Sequence, residues 1–186
     1  MKKLPIFFIF ATLFILVGCI DDGGVWDEYE DWRKSNEDWF IEQQNRIDTD
    51  GSKYYTALAP DWDSTQSILI HYFNDRKLTE GNLSPLYTST VDVKYKGCLY
   101  NDEPFDSSYT NTASYGDSIL RTKCNQVIQG WIVAIQDMRV GDSCEIVVPY
   151  SMGYGAQETG GVIKPYSMLK FHIKLVDIPF YETNKK

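Results

Sequence analysis

The stretch MLKFHIKLVDI, residues 168–178, limits the fold more than any other. Leu169, Phe171, Ile173 and Leu175 alternate with Lys170, His172 and Lys174. Side chains of a strand point to opposite faces in turn, so this is a strand with one buried and one solvated side. Sheets wet on one face are commonly antiparallel. Three further runs read as strands: SILIHYF (67–73), TVDVKYKGCLY (90–100) and SCEIVVP (143–149). One good helix interrupts them, in VIQGWIVAIQDMRVGD (127–142), where Val127, Ile128, Trp131, Ile132, Ile135 and Met138 form one apolar stripe. Strands, helix, strands make an α+β chain, an antiparallel sheet wrapped on one short α-helix.

Within that helix the pair Gly130-Trp131 raises a question. Glycine costs a helix interior about 1 kcal/mol relative to alanine. Either the pair is ordinary core, or the indole is the floor of a pocket and the glycine gives it room.

The N-terminus is a separate matter. Lys2 and Lys3 precede the apolar run LPIFFIFATLFILV, which ends in LVGC with Cys19. Basic, apolar, then small-and-cysteine is the order of a secretory signal over residues 1–18. The ending resembles the lipobox of bacterial lipoproteins, which implies cleavage before Cys19 and its diacylation. Residues 19–24 form a lipidated tether, and its Asp21-Asp22 pair resembles a surface-export signal. The expected location is the bacterial outer membrane, on its periplasmic or its outer face. The chain has 18 basic and 26 acidic residues, and loss of the two leader lysines takes the net charge from −8 to −10. Nucleic acid would repel such a chain, because binding there needs lysine and arginine on phosphates. Membrane contact is expected through the lipid at Cys19 and not through a basic patch.

Residues 25–50 read as an N-terminal helix. Asp27, Glu28, Glu30 and Asp31 suit the positive end of its dipole. Trp26, Tyr29, Trp32, Trp39, Phe40 and Ile47 recur at helical spacing, with Asn36 and Gln43 interrupting. Gly51 is expected as its left-handed cap. This aromatic face packs on its own domain, or the Val25–Ile47 helix pairs two copies of the chain or meets a client. Residues 51–66 read as a connecting segment, 67–180 as the main domain and 181–186 as a polar tail. Cys98, Cys124 and Cys144 match no zinc spacing and are expected as buried free thiols, the alternative being one internal disulfide with one thiol left over.

The parts for hydrolytic, phosphoryl or redox chemistry are missing. His71 and His172 lie inside strand-like runs with no evident carboxylate or cysteine partner, and GYGAQETGG lacks phosphate-loop spacing. No metal and no cofactor is implied. What remains is a set of aromatics expected in loops, Tyr95, Phe105, Trp131, Tyr154 and Phe171, suited to a small apolar pocket.

Four blocks now carry a resemblance, in order and at similar spacing. They are VKYKGCLYNDEPFDSS, VIQGWIVAIQDMRVGD, VVPYSMGYGAQETGGVIKP and MLKFHIKLVDI. Over Ser67–Ile178 the chain resembles the FKBP-type peptidyl-prolyl isomerases. The resemblance implies an FKBP-like domain with Trp131 as indole floor and Ile128 offering its backbone N–H to a substrate carbonyl. It also implies Tyr154 as hydroxyl donor, Asp106 as rim carboxylate, and Tyr95, Phe105, Val127, Ile163 and Phe171 as apolar walls. The implied activity is cis–trans isomerisation of X–Pro bonds in proline-containing polypeptide clients, assisting folding of exported proteins. The alternative is a catalytically weak binding module or chaperone on the same fold. Two departures from the family bear on that choice. DSILRTKC carries no aromatic where the family often has one, leaving Ile119 or Leu120 to fill that wall. Lys164 stands where the family has proline, which places a cation near the pocket mouth.

Overall fold

In a computed structural model of the chain, residues 22–114 and 116–181 are described. The leader 1–18, Cys19 and residues 182–186 of the tail lie outside them. The elements run α1 (Asp22–Glu28), α2 (Glu30–Asn45), β1 (Thr56–Leu58), β2 (Ile68–Tyr72), β3 (Thr90–Leu99), β4 (Pro104–Ser107), β5 (Leu120–Lys123), α3 (Gln129–Asp137), β6 (Ser143–Val148) and β7 (Leu169–Asp177). The strands form one sheet in the order β1-β2-β6-β7-β3-β4, with β5 also paired to β3. Every pairing is antiparallel.

The alternation in β7 does what its spacing dictates. Leu169, Phe171, Ile173 and Leu175 are buried, while His172 and Lys174 are exposed. α3 lies on the buried face, its Ile135 and Met138 fully enclosed among Val91, Val93, Ile146 and Ile173. On the other face the histidines do have partners, contrary to expectation. His172 Nε2 and the Tyr55 hydroxyl each meet a different oxygen of Glu145. Burial works against ionisation of Glu145, but these two hydrogen bonds together with the charges of His172 and Lys170 outweigh it and hold the carboxyl below its ordinary range. His71 Nδ1 lies 2.7 Å from the Tyr54 carbonyl, and its ring stacks on Tyr54 at 3.9 Å.

The N-terminal helix differs from its sequence reading in two respects. It is two helices abutting at Tyr29, not one, and it ends at Asn45. Gly51 does have a positive φ of 86°, but it closes a turn onto the Asp48 carbonyl, whereas the helix cap is Arg46. Asn36 and Gln43, the apparent interruptions, are the two buried residues of α2. Asn36 is fully enclosed: its Oδ1 accepts from the Met168 N–H at 2.8 Å, and its Nδ2 donates to the Trp32 carbonyl. Trp32 Nε1 donates to Ser167 Oγ at 3.1 Å, and Trp39 and Phe40 pack on Tyr55, Leu69 and Val147. Trp32, Trp39 and Phe40 of the aromatic face are therefore covered by the chain's own domain, while Trp26, Ile41 and Ile47 stay exposed. The connecting segment 51–66 is not structureless either, because β1 extends the sheet from within it.

Cys98, Cys124 and Cys144 are buried free thiols. Burial pushes the Cys124 thiol up to about 11 and raises Cys144 further, so neither is a thiolate at neutral pH.

Candidate functional site

β3 is the long strand of the sheet, and one of its edges is shared. β5 pairs with Thr90–Val93 and β4 with Lys96–Cys98, which leaves an interval between them at Tyr95. Ser108 fills that interval. Its Oγ accepts from the Tyr95 N–H at 2.9 Å and its own N–H donates to the Tyr95 carbonyl at 3.0 Å. Above the interval opens a cavity of about 370 Å³ lined by Tyr95, Phe105, Asp106, Leu120, Gln126, Val127, Ile128, Trp131, Tyr154 and Phe171.

Secondary structure holds most of these aromatics. Tyr95 sits on β3, Phe105 on β4, Trp131 on α3 and Phe171 on β7; only Tyr154 belongs to a loop. Rings meet edge to face throughout: Tyr95 with Trp131 at 5.0 Å, Trp131 with Phe171 at 5.2 Å and Phe105 with Phe171 at 5.5 Å. That geometry places the positive edge of one ring on the negative face of the next and fixes the wall.

Two glycines make room for it, each for a distinct reason. A Cβ on Gly97 would lie 2.7 Å from the Phe105 ring and 2.9 Å from Phe171. A Cβ on Gly130 would lie 2.4 Å from Val148 Cγ1. Gly130 thus lets α3 approach β6 and does not itself open space for the indole, while Trp131 is pocket floor as well as core. Gly97 escaped the sequence reading, though a glycine inside an alternating strand is a signal of close approach. Ser108 and Gln126 were also missed, and nothing in their local sequence marks them.

The polar groups at this wall are few. The Tyr95 hydroxyl donates to Asp106 Oδ2 at 2.5 Å. Burial, then the Asp106 hydrogen bond, raises the Tyr95 phenol well above its ordinary value. Burial and the Asp106 charge also raise the Tyr154 phenol, so it remains a neutral O–H donor at physiological pH. Tyr154 Oη and the Ile128 N–H have no hydrogen-bond partner among the described residues, and Trp131 Nε1 is buried without one. Ile128 caps the N-terminus of α3, where backbone N–H groups lack intrahelical acceptors.

Eight of the nine expected pocket residues line this one cavity. The ninth, Ile163, lines an adjoining cavity shared with Phe105, Asp106 and Tyr154. Leu120, not Ile119, fills the wall that lacks an aromatic. Lys164 is not at the mouth: its ammonium lies 4.6 Å over the Trp32 ring, beside α1 and α2. Of the two departures from the family, the cation is thus away from the pocket mouth, while the wall at Leu120 remains aliphatic.

Residues 82–176 match the family described as FKBP-type peptidyl-prolyl cis-trans isomerase. The macrophage infectivity potentiator of Trypanosoma cruzi is 36% identical over 98 residues, 53% of this chain and 47% of that protein. FK506-binding protein 1 of Dictyostelium discoideum is 34% identical over 97 residues, 52% of this chain and 87% of that one. Among solved structures, a peptidyl-prolyl cis-trans isomerase from Pseudomonas syringae superposes with a TM-score of 0.61 at 25% identity, covering 81% of this chain and 95% of that one. The chain spans about half the length of the Trypanosoma protein. With the match extending over half the chain, and the sheet, helix and aromatic cavity in the arrangement that the sequence blocks implied, the chain belongs to the FKBP-type peptidyl-prolyl cis-trans isomerase family.

Proposed function

We propose that this protein accelerates cis–trans isomerisation of X–Pro bonds in exported polypeptides while anchored through lipid on Cys19. The observation that carries the isomerase reading is a ring-walled cavity bordered by two hydrogen-bond donors, Tyr154 Oη and the Ile128 N–H, that no group among the described residues uses.

The X–Pro barrier is about 18–20 kcal/mol and comes from amide resonance. Lowering it needs no covalent step, only tighter binding of the twisted amide than of either planar form. The twisted amide has lost resonance and carries less charge on its carbonyl oxygen, so an apolar wall favours it over the planar one. Trp131, Phe171 and Phe105 hold the proline ring, the Ile128 N–H anchors a carbonyl of the client, and Tyr154 donates to the carbonyl that turns. Tyr95 and Asp106 occupy each other, so Asp106 serves as a positioning group and not as a base.

Exchange NMR on residues 20–186 with a short peptide carrying an apolar residue before proline tests the activity. Acceleration that a pocket-filling macrolide abolishes is the expected result; none by the folded chain would leave a binding module. Anchoring is tested separately. Wild type should partition into detergent and carry acyl mass, whereas a Cys19→Ala variant still membrane-bound at unchanged mass would exclude it. Any pairing of copies through the N-terminal helices has to use Trp26 of α1, Ile41 of α2 or Ile47 just beyond it, since Trp32, Trp39 and Phe40 are engaged within the chain. Light scattering on Ile41→Glu beside wild type reads that directly.

A further inference from the structure

A second and larger concavity, of about 590 Å³, lies on the outward side of α3. Its floor is Ile132 and Val133, its rim carries the rings of Trp62 and Tyr87, and Gln129 and Gln136 run along it. The wall formed by Leu58, Ala59, Pro60, Asp61 and Trp62 comes from the segment before the family match, which begins at residue 82. The groove is thus built by joining this chain's own N-terminal extension to the family's helix.

Three features say what would lie in it. First, Gln129 of the groove directly follows Ile128 of the proline cavity, so both concavities are lined by the N-terminal turn of α3 and one extended client can reach from one to the other. Second, Trp62 and Tyr87 are 57% and 50% exposed, large rings left open beside the groove. Third, the two carboxylates at the groove differ. Asp137 is held by Arg76 and the Tyr72 hydroxyl, whereas Asp61 has no partner among the described residues. An open carboxylate beside two open rings is the environment that attracts an ammonium or guanidinium group, by ion pairing and by cation–π contact.

We infer that this groove is a second client subsite, taking the extended chain beside the proline and preferring lysine or arginine there. Gln129 and Gln136 are seven helical residues apart, about 10 Å, or roughly three residues of extended chain. Their side-chain amides can each give and accept a hydrogen bond to such a backbone. The preferred basic residue therefore falls about three to six residues from the proline. This inference rests on the isomerase reading for its register but not for its measurement.

Two peptide sets separate the outcomes: a four-residue Ala-Pro peptide, and twelve-residue peptides with lysine or glutamate placed three to six residues to either side of the proline. Binding is read by NMR titration and turnover by exchange NMR, each on wild type, Asp61→Asn, Trp62→Ala and Tyr87→Ala. None of these residues lines the proline cavity, so all variants should turn over the short peptide as wild type does. Long lysine peptides should bind wild type roughly three- to tenfold more tightly than glutamate ones, lose that margin in the variants, and shift the resonances of Gln129, Val133 and Gln136. Equal binding of lysine and glutamate peptides, or variants that preserve the margin, would overturn the subsite. Absence of turnover with any peptide would instead count against the isomerase reading, while the titration would still decide the groove.

Discussion

Gly130 on α3 and Val148 on β6 touch so closely that a methyl group on the glycine would fall 2.4 Å from Val148 Cγ1 and 3.1 Å from its Cβ. A β-branched side chain in a strand has little freedom to turn aside, so Gly130→Ala must push the helix off the sheet. Overpacking costs about 1–3 kcal/mol, and alanine's better helix propensity returns roughly 1. A net loss is expected, read as a lower denaturant midpoint at unchanged slope. Val148→Ala removes both methyls, so the double variant should be more stable than the sum of the singles by about 1 kcal/mol. Strict additivity would show that the contact is not the cause.

Asn36 ties α2 to the strand entering the pocket. Asn36→Leu keeps the branching of the side chain and leaves the buried Met168 N–H without its acceptor. An unsatisfied buried donor costs about 1–3 kcal/mol. Hydrogen exchange at the Met168 amide should quicken in this variant while amides in the middle of β3 stay protected. Equal loosening everywhere would mean a global effect and not a lost tie.

Asn36 also shows where sequence reading stops. A 3.6-residue period weights apolar side chains, so a polar residue serving as the buried link reads as a break in the stripe. The core helix, the four long strands and eight pocket residues were legible because each rests on a run with its own periodicity or on a block with its own order. β1, β4 and β5 are three or four residues long, shorter than any period needs to declare itself. Lys164 lies away from its expected place for a related reason: its position in the loop between β6 and β7 is local, but its direction is set by Trp32, distant in sequence. The Glu145–His172 pair likewise joins two strands that only the sheet order brings together.

Asp142 fixes the response to acid. Its side chain is fully enclosed and accepts from Thr79 Oγ1 at 2.6 Å, from the Arg139 N–H at 2.9 Å and from Asn74 Nδ2 at 3.0 Å, with Arg76 Nε at 3.4 Å. Burial opposes its ionisation, yet the three hydrogen bonds and Arg76 together hold the carboxyl below the ordinary aspartate value. The folded state therefore binds this proton more weakly than the unfolded chain does. Its stabilisation is complete above the free aspartate value of about 4 and disappears as pH falls through the lower folded value. Asp142→Asn should cost roughly 2 kcal/mol at pH 7, with the gap to wild type narrowing below pH 4. A gap independent of pH in urea titrations would rule out the charge as its source.

The pocket itself makes the sharpest demand. Phe105 is a half-buried wall ring against Phe171, and its removal forfeits about 1.5–3 kcal/mol of apolar contact with the client, a loss of roughly 10- to 150-fold in kcat/KM. Tyr154→Phe keeps the shape and deletes one hydroxyl, which costs about 0.5–1.5 kcal/mol, or roughly 2- to 12-fold. Gly97→Ala drives a methyl into both the Phe105 and Phe171 rings, so it should impair turnover although it touches no client atom. Circular dichroism should show the first two variants folded as wild type. Because burial raises the phenols of Tyr154 and Tyr95, neither donor is lost between pH 6 and 9, and wild-type kcat/KM should be flat across that range. A Tyr154→Phe loss larger than that of Phe105→Ala would place the hydroxyl, and not the apolar wall, at the centre of the reaction.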